Sequence, residues 1–244
     1  MAQWDVFDGE ALERLRVLPE ASVDAVVTDP PYSSGGTSNA ERTQQAPSTK
    51  YVSSGAFVCG PDFAGDNRDQ RSHIFWSTLW LSAARRASKP GAMLVTFSDW
   101  RQLPATTDAV QAGGWVWRGV AVWAKTRGRP RRRGFRNQSE FMVWASNGPM
   151  VAWDDAPCLP GVIEASPPSR TERVHITQKP VDLLDVLVRV APPGGLVLDP
   201  FTGSGTTGVA AVRQGRRFLG FEMIPEYRAI ARARIAQASD DTAR

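Results

Sequence analysis

Val197-Leu198-Asp199-Pro200-Phe201-Thr202-Gly203-Ser204-Gly205-Thr206-Thr207-Gly208 runs from a short apolar stretch, through a glycine-rich turn, into a helix start. The pattern Gly-x-Gly-x-x-Gly after a strand lets a ligand approach the backbone, where unpaired N–H groups at the helix start favour a carboxylate or phosphate. A further strand, Arg217 to Glu222, ends in an acid 14 residues beyond Gly208. An acid in that place can hydrogen-bond both hydroxyls of a ribose. Strand, glycine turn, helix, strand and terminal acid together predict a site for an adenosine-containing ligand. Only about twenty residues follow Glu222, enough for one helix. The rest of the sheet must therefore come from the N-terminal part, which gives a circularly permuted order with the cofactor half last.

Upstream, short strands alternate with amphipathic helices, the pattern of a mostly parallel sheet covered on both faces. Strands are predicted at Trp4 to Phe7, Val23 to Thr28, Ala92 to Phe97, Trp115 to Ala124 and Glu140 to Ala145, which with the last two makes seven. Alternation in the fourth sets Trp115, Trp117 and Trp123 on one side. Helices are predicted after Asp8-Gly9 with Leu12, Leu15 and Leu18 on one face, over Ile74 to Ala87, near Leu103 to Ala112, and over Val181 to Val190. The expected fold is thus a seven-stranded Rossmann-like α/β sheet in one domain covering residues 1–244. Two segments lack periodicity: 33–72, rich in Ser, Thr, Gly and Gln, reads as a mobile loop, and 146–174 as a short irregular insertion.

Thr28-Asp29-Pro30-Pro31-Tyr32 follows the second strand directly. Ligands of open α/β sheets bind at the carboxyl ends of strands. Two prolines fix the backbone there and remove two amide donors. What remains is a rigid acceptor set suited to an amine: Asp29 for one N–H, the Pro30 carbonyl for the other, and Tyr32 as a stacking face. A rigid structural turn is the alternative reading of the same residues.

The 244 residues carry 29 Lys and Arg against 25 Asp and Glu, a net charge of +4. Seven of those cations fall between Lys125 and Arg136, a stretch with no acid, and the remainder of the chain is net −3. A local surplus of this kind suits phosphate, although a solvated hairpin tip would look the same. At 42% hydrophobic the chain can bury a full core, and its longest apolar runs are too short to span a bilayer. The N-terminus lacks the basic-then-apolar pattern of a signal peptide. Cys59 and Cys158 have no partner spacing, and with only His73 and His175 besides, no metal site is expected. The expected setting is cytoplasmic.

Asp29-Pro30-Pro31-Tyr32 followed by Asp199-Pro200-Phe201-x-Gly203-x-Gly205, in that order, resembles the beta-class DNA amino-methyltransferases that use S-adenosylmethionine. Three more segments are similar to that family. They are Asp5-Val6-Phe7-Asp8-Gly9 with Ser22-Val23-Asp24; His175-Ile176-Thr177-Gln178-Lys179-Pro180; and Trp123-x-Lys125 with Arg133-x-Phe135-x-Asn137 and Glu140-Phe141. The resemblance covers most of the chain but not the segment 33–72, and 146–174 is short for the family's usual target-recognition region.

The resemblance implies methyl transfer to an exocyclic base amine of double-stranded DNA by a bacterial or phage-encoded enzyme, with S-adenosylmethionine as cofactor and no metal. Asp29 rather than Ser at the head of Pro-Pro-Tyr implies adenine N6, with cytosine N4 as the rival. Asp29, Pro30, Pro31 and Tyr32 would form the catalytic set, and the target base would be flipped onto Tyr32. Asp8 would contact the cofactor's adenine, Glu222 its ribose, and Phe201 would pack on it. Thr177, Lys179, Thr202, Gly203, Ser204, Gly205 and Thr206 would hold its methionine end, with Gly9, Gln178, Asp199 and Pro200 beside them. Arg127, Arg129, Arg131, Arg132, Arg133 and Arg136 would grip DNA phosphates. A homodimer is compatible with the family, as is a restriction-modification role. A catalytically silent DNA-binding protein and a nicotinamide oxidoreductase stay open as other classes. Glutamine methyltransferases share a similar Pro-Pro-Tyr but carry the cofactor motif first.

Overall fold

A computed structural model describes residues 4–33, 68–129, 132–168 and 178–242, with the backbone alone at 128 and 129. In these, eight strands form one sheet: β1 (Trp4–Asp8), β2 (Val23–Thr28), β3 (Ser88–Ser98), β4 (Val116–Arg129), β5 (Asn137–Ser146), β6 (Val162–Ala165), β7 (Leu196–Asp199) and β8 (Arg217–Glu222). Their order is β1-β8-β7-β2-β3-β5-β4-β6. Only β5 runs against its neighbours; the remaining pairings are parallel.

Helices cover both faces. On one face α1 (Ala11–Val17), α2 (Gln70–Ala87) and α3 (Leu103–Ala112) pack over Val26, Leu94 and Leu198. On the other, α4 (Val181–Leu187), α5 (Thr206–Arg213) and α6 (Pro225–Thr242) pack over Val27, Val95 and Val197. The alternation of 26 with 27 and of 197 with 198 between the two cores is the period of two expected of a sheet buried on both sides. No described helix is long and apolar enough to cross a membrane.

From β7 the chain moves through α5 to β8 on one side, where β1 pairs beyond it. From β2 it moves through α2 to β3 on the other. The strand order therefore reverses between β2 and β7, which pair in parallel at Ala25 with Val197 and Val26 with Leu198. A switch point of this kind opens a crevice at the carboxyl ends of the two strands, where Asp29 directly follows β2 and Asp199 ends β7. The permuted order read from the sequence is the one observed.

Three expectations are corrected. The eighth strand, β6, lies inside 146–174, where four residues after Pro160-Gly161 are too few to show a period. It pairs with β4 from Val122 to Lys125, and Trp123 Nε1 donates to the Ala165 carbonyl at 2.9 Å. The loop read as 33–72 ends sooner, because Asp69 caps α2 by accepting from the amides of Arg71 and Ser72 at 3.0 and 3.1 Å. Trp115, Trp117 and Trp123 do not share a face. A bulge between Trp117 and Gly119 inserts one residue and flips the strand, so Trp115 joins the α1–α3 core and Trp123 the other, while Trp117 stays 43% exposed.

Candidate active site

The crevice is built by two turns held together. Thr28 Oγ1 at the end of β2 donates to Asp199 Oδ1 at the end of β7 at 2.6 Å, and the Phe201 amide donates to the same oxygen at 3.1 Å. Burial lifts the Asp199 carboxyl to about 6 despite these donors. Asp199 is 2% exposed, so it braces the crevice from beneath.

In the glycine turn, Gly203 and Gly205 adopt φ of +53° and +83°, the left-handed region that glycine enters without strain. A Cβ on Gly205 would lie 2.8 Å from Ala231 of α6, so the turn can approach that helix only without a side chain. Above Gly203 the nearest atom to such a carbon is 4.0 Å away, which leaves room for a ligand. The hydroxyls point inward: Thr202 Oγ1 donates to the Asp199 carbonyl at 2.9 Å, and Arg234 of α6 donates to Ser204 O, Ser204 Oγ and Thr206 Oγ1 at 2.6, 3.1 and 3.4 Å. Pro200 is buried beside them and Phe201 packs against Trp76 and Trp80 of α2, with ring centroids 5.4 and 5.2 Å apart.

Glu222 accepts from the Gly203 amide at 2.9 Å and from the Ile224 amide at 2.8 Å. Each carboxylate oxygen keeps a free lone pair. Burial raises its carboxyl above the usual range, against those two amides. Asp8 lies beside Glu222 in register, ion-paired to Arg228 of α6, and Gly9 follows at φ +130°. The residues present fit an adenosine ligand: an open glycine turn, then a carboxylate pair at the ends of β1 and β8.

Asp29 sits across the switch point from that turn. Tyr32 Oη donates to its Oδ1 and Lys179 Nζ to its Oδ2, both at 2.5 Å. Lys179 also lies 3.4 Å from Glu140 Oε2, and Lys125 Nζ donates to Glu140 Oε1 at 2.5 Å. A row of alternating charge, Asp29, Lys179, Glu140, Lys125, thus runs across β2, the residues preceding α4, β5 and β4. Burial raises the Asp29 carboxyl, with Lys179 opposing it. Burial would lift Glu140 as well, but Lys179 and Lys125 outweigh it and hold that carboxyl below its usual value. Pro30 is buried, Pro31 and Tyr32 are half-buried, and the turn closes at Ser33, whose carbonyl accepts from Gln102 Nε2 at 3.2 Å.

The sequence-predicted sets therefore gather at one edge, with Gln178 half-buried next to Lys179. Thr177, His175, Arg131, Cys59 and the Arg129 side chain lie outside the described residues. Cys158 is exposed. Sequence reasoning missed Glu140, Gln102 and Thr28 as parts of the site, since each meets its partner only through the fold.

Beyond the crevice, β5 runs antiparallel to β3, with Ser98 opposite Phe141, so its N-terminal end overhangs the carboxyl ends of β2 and β3. The β4–β5 hairpin projects there. Arg127, Arg132, Arg133 and Arg136 are exposed on it, and Phe135 is 96% exposed among them.

The family model of the N6 and N4 DNA methylases matches residues 23–233, most of the chain. The chain belongs to this family. Among curated relatives, the methylase is 30% identical to the type II methyltransferase M2.DpnII of Streptococcus pneumoniae over 250 residues, 93% of this chain and 87% of that one. Among solved structures, it superposes on the complex of M1.HpyAVI with SAM at a TM-score of 0.68 and 24% identity, covering 95% of this chain and 98% of that one. The cytosine-N4-specific PvuII DNA methyltransferase gives a TM-score of 0.71 at 19% identity, covering 99% and 92%. These two share the fold of the methylase. Its activity is that of a DNA methyltransferase.

Proposed function

We propose that this methylase acts on the N6 amine of adenine in a base flipped out of double-stranded DNA. The observation that carries the reading is Asp29 heading the Pro-Pro-Tyr turn at the switch point, with its carboxylate held by Tyr32 and Lys179. S-adenosylmethionine is the methyl donor and supplies the electrophile, so the chain has only to bind, aim and desolvate.

An aromatic amine is a weak nucleophile because its lone pair is delocalised into the ring. Asp29 retains one free lone pair on each oxygen and the Pro30 carbonyl is the second acceptor. Two accepted N–H bonds favour a pyramidal nitrogen and turn its lone pair toward the methyl group. Catalysis then comes from positioning and fixed charge. The Tyr32 hydroxyl is tied to Asp29, which holds the ring as a stacking face for the base.

Glu222 and Asp8 would hold the adenosine of the cofactor, and the backbone of Thr202, Gly203, Ser204, Gly205 and Thr206 its methionine end. The hairpin arginines Arg127, Arg132, Arg133 and Arg136 would hold phosphates over the crevice. Phe135 among them is placed to enter a base step as the target leaves the stack. Support for this orientation comes from the register of β5, which aims the hairpin past Asp29.

Cytosine N4 is the second reading, favoured by the likeness to the cytosine-N4-specific PvuII enzyme. Incubation of mixed-sequence duplex DNA with methyl-labelled cofactor, followed by digestion to nucleosides, separates the two. Labelled N6-methyl-2′-deoxyadenosine is expected; labelled N4-methyl-2′-deoxycytidine would replace the proposal with its rival.

A further inference from the structure

Lys179 stands apart from the other residues that the family resemblance assigns to the cofactor, because its ammonium faces the catalytic turn. It is buried, with 8% of its side chain exposed, between Asp29 Oδ2 at 2.5 Å and Glu140 Oε2 at 3.4 Å. The rings of Phe97 and Tyr32 lie 5.0 and 5.4 Å from Nζ and close the site around it. Cations over aromatic faces gain further attraction when water is excluded. One of its three N–H donors is hydrogen-bonded to Asp29, and the ammonium is ion-paired to Glu140 on the other side.

We infer that Lys179 is a positioning residue for the amine acceptor, keeping the Asp29 carboxylate ionised and aimed while Glu140 fixes the ammonium from the far side. The inference rests on the methyl-transfer reading of the site and assigns the lysine to the acceptor rather than to the cofactor.

The charges around Asp29 make the need plain. Asp199 lies behind it through Thr28, Glu140 faces it from β5, and Asp99 at the end of β3 acts on Tyr32 beside it. Lys179 is the cation in direct contact, and Lys125 is one residue further away, beyond Glu140. A carboxylate in such company without its partner takes up a proton rather than remain charged. Protonation would be worse than a weaker acceptor. The acid's O–H would donate to the target amine and capture the lone pair that must attack.

The balance of protons is simple. The amine nitrogen forms its bond to the methyl group as the sulfonium–carbon bond breaks, and the sulfur keeps the bonding pair. The methylated nitrogen, now cationic, releases one proton to solvent, with Asp29 as a transient acceptor. Lys179 keeps its own proton throughout.

The test uses the full chain with Lys179→Met, and Lys179→Gln as a second variant that retains a polar group should the first not fold. Three quantities are measured: cofactor affinity by calorimetry, the single-turnover transfer rate on duplex DNA against pH, and the Asp29 carboxyl titration by carbon NMR, assigned with Asp29→Asn. The expected result is cofactor affinity within about twofold of wild type and a rate near neutrality lower by about 100-fold. That rate should recover about tenfold per pH unit as the Asp29 titration moves upward. Cofactor affinity weakened about tenfold or more, with the Asp29 titration unchanged, would overturn the inference and return Lys179 to the cofactor. The carboxyl titration needs no turnover. It judges Lys179 even if the wild type methylates no DNA, an outcome that would remove the methyl-transfer reading instead.

Discussion

The two sides of the switch point are built differently. On the cofactor side, β7, the glycine turn, β8 and Glu222 fall within 27 residues, and their polar groups satisfy one another locally: Thr202 on the Asp199 carbonyl, the Gly203 amide on Glu222. On the catalytic side, Asp29, Glu140 and Lys179 come from stretches more than a hundred residues apart in the case of Asp29 and Glu140, and 150 in the case of Asp29 and Lys179. One side is a prefabricated turn; the other exists only after the sheet has closed. A local turn can shape a binding surface, whereas an ionised acceptor inside a crevice needs counter-charges that a single turn cannot supply.

If that division is real, mutations on the two sides should separate turnover from binding. Asp29→Ala carries the largest effect. The transfer rate should fall about 1000-fold or more, with cofactor affinity within about twofold, read by single-turnover labelling and calorimetry. Retained activity would break the comparison at its centre.

Next in size is a pair of opposite pH effects on stability, one from each side. Asp199 has a folded value of about 6 against an ordinary 3.8, so across that window the native state holds a proton the unfolded chain has released. Stability is therefore lost as pH rises through the window, on the order of 3 kcal/mol above it, and Asp199→Asn should remove that slope. His73 of α2, buried with Nδ1 lacking a hydrogen-bond partner among the described residues, is held down to about 4 by burial, with Arg68 adding to it. Its contribution is present above the ordinary 6.5 and is lost as pH falls toward 4, again on the order of 3 kcal/mol. His73→Leu should flatten the acid side. Urea unfolding of wild type and both variants from about pH 4 to 7 checks each sign.

Smaller effects follow. Replacing Arg132, Arg133 and Arg136 together by Gln should weaken duplex binding by roughly 10- to 100-fold at moderate salt. The salt dependence of log affinity should drop in slope by about 2 to 3, with cofactor binding untouched. Smallest is Glu222→Ala, which strips the Gly203 and Ile224 amides of their acceptor. Cofactor affinity should weaken by about tenfold while the rate at saturating cofactor stays within a few-fold of wild type. A loss of rate at saturation would mean that the turn also shapes the acceptor side.

The same division explains what the sequence disclosed. β2 and β8 were legible to the residue, and β7 in outline, because each is a short apolar run bounded by turn chemistry. Asp29-Pro30-Pro31-Tyr32 and the glycine turn were legible because proline and glycine fix backbone geometry locally. β6 was not, since a four-residue edge strand gains its identity from pairing with β4. Nor was the opposite facing of Trp115 and Trp123, because a bulge is set by the partner strand. Glu140 read as the start of a strand and as part of a family-like segment, with no role in the site; its meeting with Lys179 and Lys125 depends on the antiparallel return of β5, which no local pattern encodes.

That single reversed strand has a kinetic consequence. Because β5 returns toward the edge where β2 ends, the arginine hairpin and Asp29 face the same way. If that hairpin grips the duplex as proposed, one docking event would present one strand to Asp29. On a site that reads the same on both strands, the half-modified duplex would then be a true intermediate, released or turned over before the second methyl group arrives.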